Sequence, residues 1–323
     1  MVGLLFPGQG SQTVGMGKEL TEEYSEARQT FEEADDVLGT ALSRLAWDGP
    51  AEELTATRNA QPALLTHSIA VHRVIEHRLG SAVALAAGHS VGEFSAYVAA
   101  GALAFADGLR TVRVRGELMQ RSGAERPGTM AALLGIGEDA VETICREATD
   151  GDSICVLANY NAPGQLVISG DVAAVERALV LAKAAGAKRA VRLNVSGAFH
   201  SPLMQVAAAG LEAQLANVDI AAPRFPVVSN VTALPVTEPA TARRLLVEQL
   251  TAPVRWTASM RTMLDASVQR FYELGPGNVL SGLLRRFERD VETDAIGEPA
   301  DLQALSAQGG GGWNGSSTAK SRL

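Results

Sequence analysis

The sequence predicts an α/β fold: a parallel sheet that carries a nucleophile elbow, with a smaller βαββαβ unit of the ferredoxin-like plan inserted into it. Three observations predict this. Val2-Gly3-Leu4-Leu5-Phe6 is a short buried strand that breaks into the glycine-rich loop Pro7-Gly8-Gln9-Gly10-Ser11-Gln12. Ala84-Leu85-Ala86-Ala87-Gly88-His89-Ser90-Val91-Gly92-Glu93-Phe94-Ser95 is an apolar run that enters a tight turn and leaves as a helix. Residues 127 to 195 read strand, helix, strand, strand, helix, strand, which is a unit complete in itself. Residues 1–126 and 196–297 are therefore assigned to a large subdomain and 127–195 to a small one. Beyond 298 the periodicity fades into Gly309-Gly310-Gly311-Gly312, and 298–323 is expected to be a flexible tail.

Residues 17–38 carry Leu20, Tyr24, Ala27, Phe31, Ala34 and Leu38 at helical spacing, with acidic side chains on the opposite, solvated face. A helix over 61–79 is expected to begin at Pro62. His67, His72 and His77 recur in it five residues apart, a spacing that turns successive side chains about 140° away from one another and so opposes a shared metal site. After the elbow a helix runs from Gly108 to Arg121. Arg115 falls on its apolar side between Val112, Leu118 and Met119, where an unpaired guanidinium would cost several kcal/mol. It needs either a structural partner such as a buried carboxylate or a carboxylate brought by a substrate.

In the small unit, Met130 to Gly135 reads as strand and Glu138 to Ala148 as helix. Strands 153–159 and 165–169 flank an Asn161-Ala162-Pro163-Gly164 turn, and a helix over 171–185 leads to strand 190–193. A cleft between the two bodies is the natural place for a substrate. The chain then passes Val195-Ser196-Gly197-Ala198-Phe199-His200-Ser201-Pro202, a loop that ends in a Ser-Pro helix start. Strand 226–230, helix 238–250, strand 270–274 and helix 279–287 complete the chain's regular elements.

The elbow is chemically the most informative stretch. A solvated serine hydroxyl is inert. A strand-turn-helix holds it proud of the sheet and turns the next backbone N–H and the helix N-terminus toward any oxyanion formed beside it. Activation of Ser90 requires a base, and His200 is the candidate.

Composition excludes several alternatives. In 323 residues, 46% hydrophobic and 20% charged describe an ordinary soluble enzyme. No apolar run reaches the roughly 18 residues of a membrane span. The N-terminus starts directly into strand without a basic leader, so a cytoplasmic location and no membrane partner are expected. A net charge of −8 gives no footprint for nucleic acid. Cys145 and Cys155 lack metal-ligand spacing and read as small core residues. The glycine-rich loop lacks the Lys-[Ser/Thr] of a phosphate-binding loop. No metal is expected, and a monomer is the default.

Five motifs together carry a resemblance: Phe6-Pro7-Gly8-Gln9-Gly10-Ser11-Gln12, Gly88-His89-Ser90-Val91-Gly92-Glu93, Arg115-Gly116-Glu117-Leu118-Met119, Gly197-Ala198-Phe199-His200-Ser201 and Glu273-Leu274-Gly275-Pro276-Gly277. In order and spacing the chain resembles the malonyl-CoA:acyl carrier protein transacylases and the closely similar acyltransferases of polyketide synthases, over residues 2 to 290. The resemblance implies an α/β-hydrolase-like large subdomain and malonyl transfer from malonyl-CoA to an acyl carrier protein, without a cofactor. Ser90 would be the acylated nucleophile, His200 its base, and the backbone carbonyl of Gln249 the group that orients the imidazole. Backbone N–H groups of Gln9 and Val91 would form the oxyanion hole. Arg115 would bind the malonyl carboxylate, with Met119, Asn159 and Asn161 beside the substrate. In this family a phenylalanine before the histidine, here Phe199, accompanies malonyl rather than methylmalonyl.

Carrier proteins of this kind are acidic, so a docking patch would draw on Lys183, Lys188, Arg189 and Arg192 in an otherwise acidic chain. Two other readings share some of these features. A serine esterase or thioesterase would need an acid between Ser90 and His200, for which Asp171 is the candidate. A non-catalytic carrier-docking subunit would have no use for Ser90, His200 and Arg115.

Overall fold

The computed structural model describes residues 1–308. In chain order it comprises β1 (Val2–Phe6), four short to medium helices α1 (Lys18–Glu23), α2 (Ser25–Leu38), α3 (Leu42–Asp48) and α4 (Ala51–Thr55), then the long α5 (Thr57–Leu79), β2 (Val83–Gly88), α6 (Gly92–Ala99) and α7 (Phe105–Glu125). Next come β3 (Gly128–Leu134), α8 (Glu138–Ala148), β4 (Cys155–Ala162), β5 (Gln165–Asp171), α9 (Val172–Ala184) and β6 (Arg189–Arg192). The chain finishes with α10 (Gln205–Leu215), β7 (Val227–Val228), β8 (Pro235–Val236), α11 (Pro239–Glu248), α12 (Trp256–Asp265), β9 (Arg270–Leu274), α13 (Val279–Leu284), β10 (Glu292–Ile296) and α14 (Pro299–Gln308).

Two sheets organise these elements. The larger has the order β10-β9-β1-β2-β7-β8 and is parallel except for its last pair. Its strands are covered by helices on both faces, so they read as continuous apolar runs rather than alternating ones. Leu4, Leu5 and Phe6 of β1 are all fully buried. The smaller sheet has the order β4-β5-β3-β6 and is antiparallel throughout, with α8 and α9 packed on it over a separate apolar core. That order is the ferredoxin-like one: the first and third strands of the unit pair centrally and the second and fourth take the edges.

Three local expectations are corrected. α5 starts at Thr57, one turn before Pro62, which sits inside the helix. The 17–38 helix is two helices parted at Tyr24, whose backbone is extended (φ −119°, ψ 122°). The tail assigned to 298–323 is not flexible from its start. α14 occupies 299–308 and buries Leu302 and Leu305, and Asp301 Oδ2 accepts from the backbone N–H groups of Gly297 and Glu298. Glu298 Oε1 accepts from Gly17 N–H at 3.0 Å, tying this end back to the start of α1. Only two large apolar residues mark so short a helix, too few for a periodic signal. The rest of the expected tail, from the glycine run at 309–312 to Leu323, lies outside the described residues.

No described helix is long and apolar enough to cross a membrane.

Candidate active site

The glycine-rich loop leaves the carboxyl end of β1 and Ser90 leaves that of β2, its neighbour in register. The turn after β2 is possible because Gly88 and Gly92 lack side chains. A Cβ on Gly88 would lie 1.9 Å from the Gly92 carbonyl carbon, and one on Gly92 would lie 2.1 Å from Phe6 O. Strand, loop and helix touch backbone to backbone, and Ser90 is driven to φ 53°, a left-handed conformation disfavoured for a residue with a Cβ. Asn230, just past β7, holds the turn from both sides. Its Oδ1 accepts from Ser90 N–H at 2.8 Å, and its Nδ2 donates to Gly88 O at 2.7 Å.

His200 also has a left-handed backbone, φ 56°, in the loop between β6 and α10. Its Nδ1 lies 2.9 Å from Gln249 O, and its Nε2 lies 2.8 Å from Ser90 Oγ. A carbonyl only accepts, so Nδ1 carries the proton and the Nε2 lone pair faces the serine hydroxyl. Burial first, and the Arg115 charge second, push the imidazole down to about 3, so it is neutral at physiological pH. Neutral is the state in which it can take a proton.

Arg115 is fully buried on α7. The glycine after it lets α7 approach α5 closely, since a Cβ on Gly116 would come within 2.7 Å of Thr57 O. This proximity brings Gln61 of α5 to the guanidinium. Nη1 donates to Gln61 Oε1 at 2.8 Å; Nη2 donates to Gln249 Oε1 at 2.9 Å and to Ser90 Oγ at 3.1 Å. All three acceptors are neutral. The closest approach to the buried carboxylate expected as one alternative is Glu93, which acts on Arg115 through space without an ion-pair contact among the described residues. Among the described residues Arg115 Nε has no hydrogen-bond partner. Burial lowers the guanidinium to about 10, which still leaves it charged at neutral pH.

Of the remaining expected residues, Gln9, Met119, Asn159, Asn161 and Phe199 line one cleft of about 460 Å³ between the two sheets. Gln9, Ser90, Phe199 and His200 line it from the large sheet's side. Met130, Asn159, Asn161, Val167 and Leu193 line it from the small one, and Met119 also reaches it. Asn161 Oδ1 lies 2.9 Å from His89 Nε2, and β4 is anchored by Tyr160 N–H and Val254 N–H, which bond Val254 O and Ala158 O. Gln9 Nε2 donates to Thr57 Oγ1 at 3.2 Å. The backbone N–H groups of Gln9 and Val91 bond no acceptor among the described residues, and Val91 stands at the N-terminus of α6. Gln9, Thr55, Asn194 and Val195 also line an adjoining cavity of about 520 Å³, so the cleft continues toward the surface.

Asp171, the acid an esterase would use, is engaged elsewhere: both its oxygens are 2.9 Å from Arg126, and one also accepts from Ile154 N–H. The position a triad acid would occupy on His200 Nδ1 is held by Gln249 O instead. Among the described residues no three His, Cys, Asp or Glu side chains gather as a metal site would require. Arg189 and Arg192 stand exposed on β6 at the edge of the small sheet, where Arg192 bonds Thr129 Oγ1 and lies 3.6 Å from Glu176.

Sequence reasoning missed Gln61 beside Arg115, and Asn230 and Glu93 below Ser90. Asn230 stands out in the sequence only as part of an Asn-x-Thr sequon, and Glu93 only as the end of the elbow motif. Glu93 is fully buried, its Oε2 accepting from Gln249 Nε2 at 2.6 Å and from Asn230 N–H at 3.1 Å. The available signal was an acid in the first turn of an otherwise apolar helix.

The sequence model of a family described as "Acyl transferase domain" matches residues 4–296. Among curated proteins, a malonyl CoA-acyl carrier protein transacylase of Bacillus subtilis (strain 168) is 48% identical over 302 residues, covering 94% of this chain and 95% of that protein. Among solved structures, an acyl carrier protein S-malonyltransferase from Vibrio cholerae superposes with a TM-score of 0.90 at 43% identity, covering 94% of this chain and 99% of that one. A malonyl-transacylase solved in complex with a type II PKS acyl-carrier protein superposes with a TM-score of 0.91 at 42% identity, covering 94% and 98%.

Proposed function

The chain belongs to the acyl transferase domain family, and from that premise we infer that it is an acyl-carrier-protein S-malonyltransferase, moving malonyl from malonyl-CoA to the phosphopantetheine thiol of an acyl carrier protein in fatty-acid or polyketide synthesis. The observation that carries the substrate assignment is Arg115: a fully buried guanidinium with only neutral acceptors, touching Ser90 Oγ. A buried charge of this kind is stabilised by an anion that arrives with the substrate.

In the first half-reaction the malonyl carboxylate pairs with Arg115, which holds the thioester carbonyl beside Ser90. As Ser90 Oγ attacks that carbon, its proton passes to His200 Nε2, and the imidazolium is supported by Gln249 O on the other nitrogen. The unclaimed N–H groups of Gln9 and Val91 receive the oxyanion. The carbon–sulfur bond breaks, CoA leaves as the thiol with the proton from His200, and malonyl remains esterified to Ser90. The carrier's thiol then enters the same cleft, gives its proton to His200 and takes the malonyl group, returning the proton to Ser90. Pairing Arg115 with a carboxylate removes the second cause that depresses the His200 imidazole, so the correct substrate strengthens its own base. Ester and thioester exchange without oxidation, and no cofactor is assigned.

The exposed Arg192, next in the chain to the cleft-lining Leu193, and Arg189 on the same strand support a carrier-docking role for the β6 edge.

Incubation with malonyl-CoA followed by a phosphopantetheinylated carrier tests the assignment by intact mass. A malonyl adduct should form and be discharged onto the carrier. Release of free malonate instead would identify a hydrolase.

A further inference from the structure

Glu93, Gln249 and Asn230 form a fully buried polar group beneath the catalytic residues, and the acyl-transfer steps use neither the carboxylate of the first nor the side-chain amide of the second. The Gln249 side chain makes four contacts. Nε2 is 2.6 Å from Glu93 Oε2, 3.1 Å from Ser90 O and 3.5 Å from Asn230 Oδ1, while Oε1 accepts from Arg115 Nη2 at 2.9 Å. Its backbone carbonyl accepts from His200. One residue thus holds the base through its main chain and the carboxylate receptor through its side chain.

A glutamine amide can be turned end for end, so its partners must choose. Arg115 only donates. Turned the wrong way, Gln249 would set an N–H₂ against the guanidinium. The carbonyl of Ser90 only accepts, and Glu93 Oε2 accepts as well, whether the group is ionised or carries its proton on Oε1, so together they claim the nitrogen. Of these two, Glu93 makes the shorter contact, and its own placement is fixed by the backbone N–H of Asn230. The amide also separates the two charges: Glu93 influences Arg115 through space but does not pair with it. An acid in direct contact would have neutralised the guanidinium and competed with any incoming carboxylate.

Building on the malonyl-transfer reading above, we propose that Glu93 is a positioning residue that acts through Gln249: by claiming the amide nitrogen it turns the amide oxygen to Arg115, holding the guanidinium aimed at the substrate carboxylate yet unpaired.

The test is the ratio of Ser90 loading from malonyl-CoA to loading from acetyl-CoA, read by intact mass in single turnover. A merely structural role would slow both substrates alike. Gln249→Met keeps length and the backbone carbonyl but removes the amide, and should lower the ratio about tenfold, the loss of one hydrogen bond to a charged group. Glu93→Ala should lower it comparably, and the double variant should fall no further than the worse single one, because both changes cut one path. Glu93→Gln, whose side-chain oxygen can still accept from Gln249 and Asn230, should recover most of the ratio. If Glu93→Ala does not fold, Gln249→Met and Glu93→Gln decide the matter. A wild-type ratio in Gln249→Met, additive losses in the double variant, or a collapse of the ratio in Glu93→Gln would each overturn the proposal. Wild-type protein that forms no malonyl adduct would instead sink the transferase reading on which it rests.

Discussion

Ser90 Oγ stands between a group that withdraws its proton and a group that marks its substrate. The His200 lone pair is 2.8 Å away and the Arg115 guanidinium 3.1 Å away. Arg115→Ala removes the second only. Loading from malonyl-CoA should fall about thirtyfold or more, since truncating one side of a buried hydrogen-bonded charge pair costs about 2–5 kcal/mol. Loading from acetyl-CoA, which brings no carboxylate, should fall far less. Stopped single-turnover loading with both thioesters measures this, and an equal loss for both would mean that Arg115 serves the fold rather than the substrate. At this scale the sequence was most informative where chemistry rests on residue type. A serine in an elbow, a histidine after a strand and an arginine on an apolar helix face each pose a question that only a reactive partner answers. Glu93 and Asn230 posed none. An acid in a helix's first turn and an asparagine after a strand are ordinary in sequence, and only the approach of segments some 140 residues apart turns them into a clamp.

Among elements, the strand and helix of the elbow meet backbone to backbone. Gly88→Ala would press a methyl carbon into the backbone at Gly92, where no side chain can move aside, and should destabilise by several kcal/mol or abolish soluble expression. Denaturant midpoints check this, and a Gly88→Ala protein of wild-type stability would contradict the packing described. The elbow was legible because its glycines, small residues and apolar run all agree. Element boundaries were less so. Pro62 reads as a helix start, yet Thr57, Ala60 and Gln61 are buried against the rest of the fold and carry the helix on its N-terminal side as well. α14 was not legible because its order comes from Asp301 and Glu298 meeting the backbone of nearby and distant turns, which leaves no period in the sequence.

The molecule as a whole stores buried histidines in their neutral form. His67 on α5, which meets Gly297 O at 2.8 Å, and His72 are both held down to about 4, and His200 to about 3, in each case chiefly by burial. Groups with depressed folded values add stability that is complete above the ordinary 6.5 and is lost as pH falls toward the folded values. Glu93 runs the other way. Burial raises it to about 7, so its contribution is present below the ordinary 4.5 and fades as pH rises through 7. The histidines outnumber it, and the melting temperature should fall steadily between about pH 6.5 and pH 4. His67→Gln should make that slope shallower; an unchanged slope would show that His67 does not take part. The two-sheet plan was legible from strand and helix order. A cleft between the two bodies was legible from the same order, but its lining was not, because its walls are assembled from the loops after β1 and β2, from β3, β4 and β5, and from the 193–200 loop, and no local pattern encodes their approach. What that cleft exists to do comes down to one atom. Peptide mapping by tandem mass spectrometry after brief exposure to malonyl-CoA should place the malonyl group on Ser90 and on no residue of a Ser90→Ala variant; a malonyl group on another residue, or one surviving in that variant, would contradict the account.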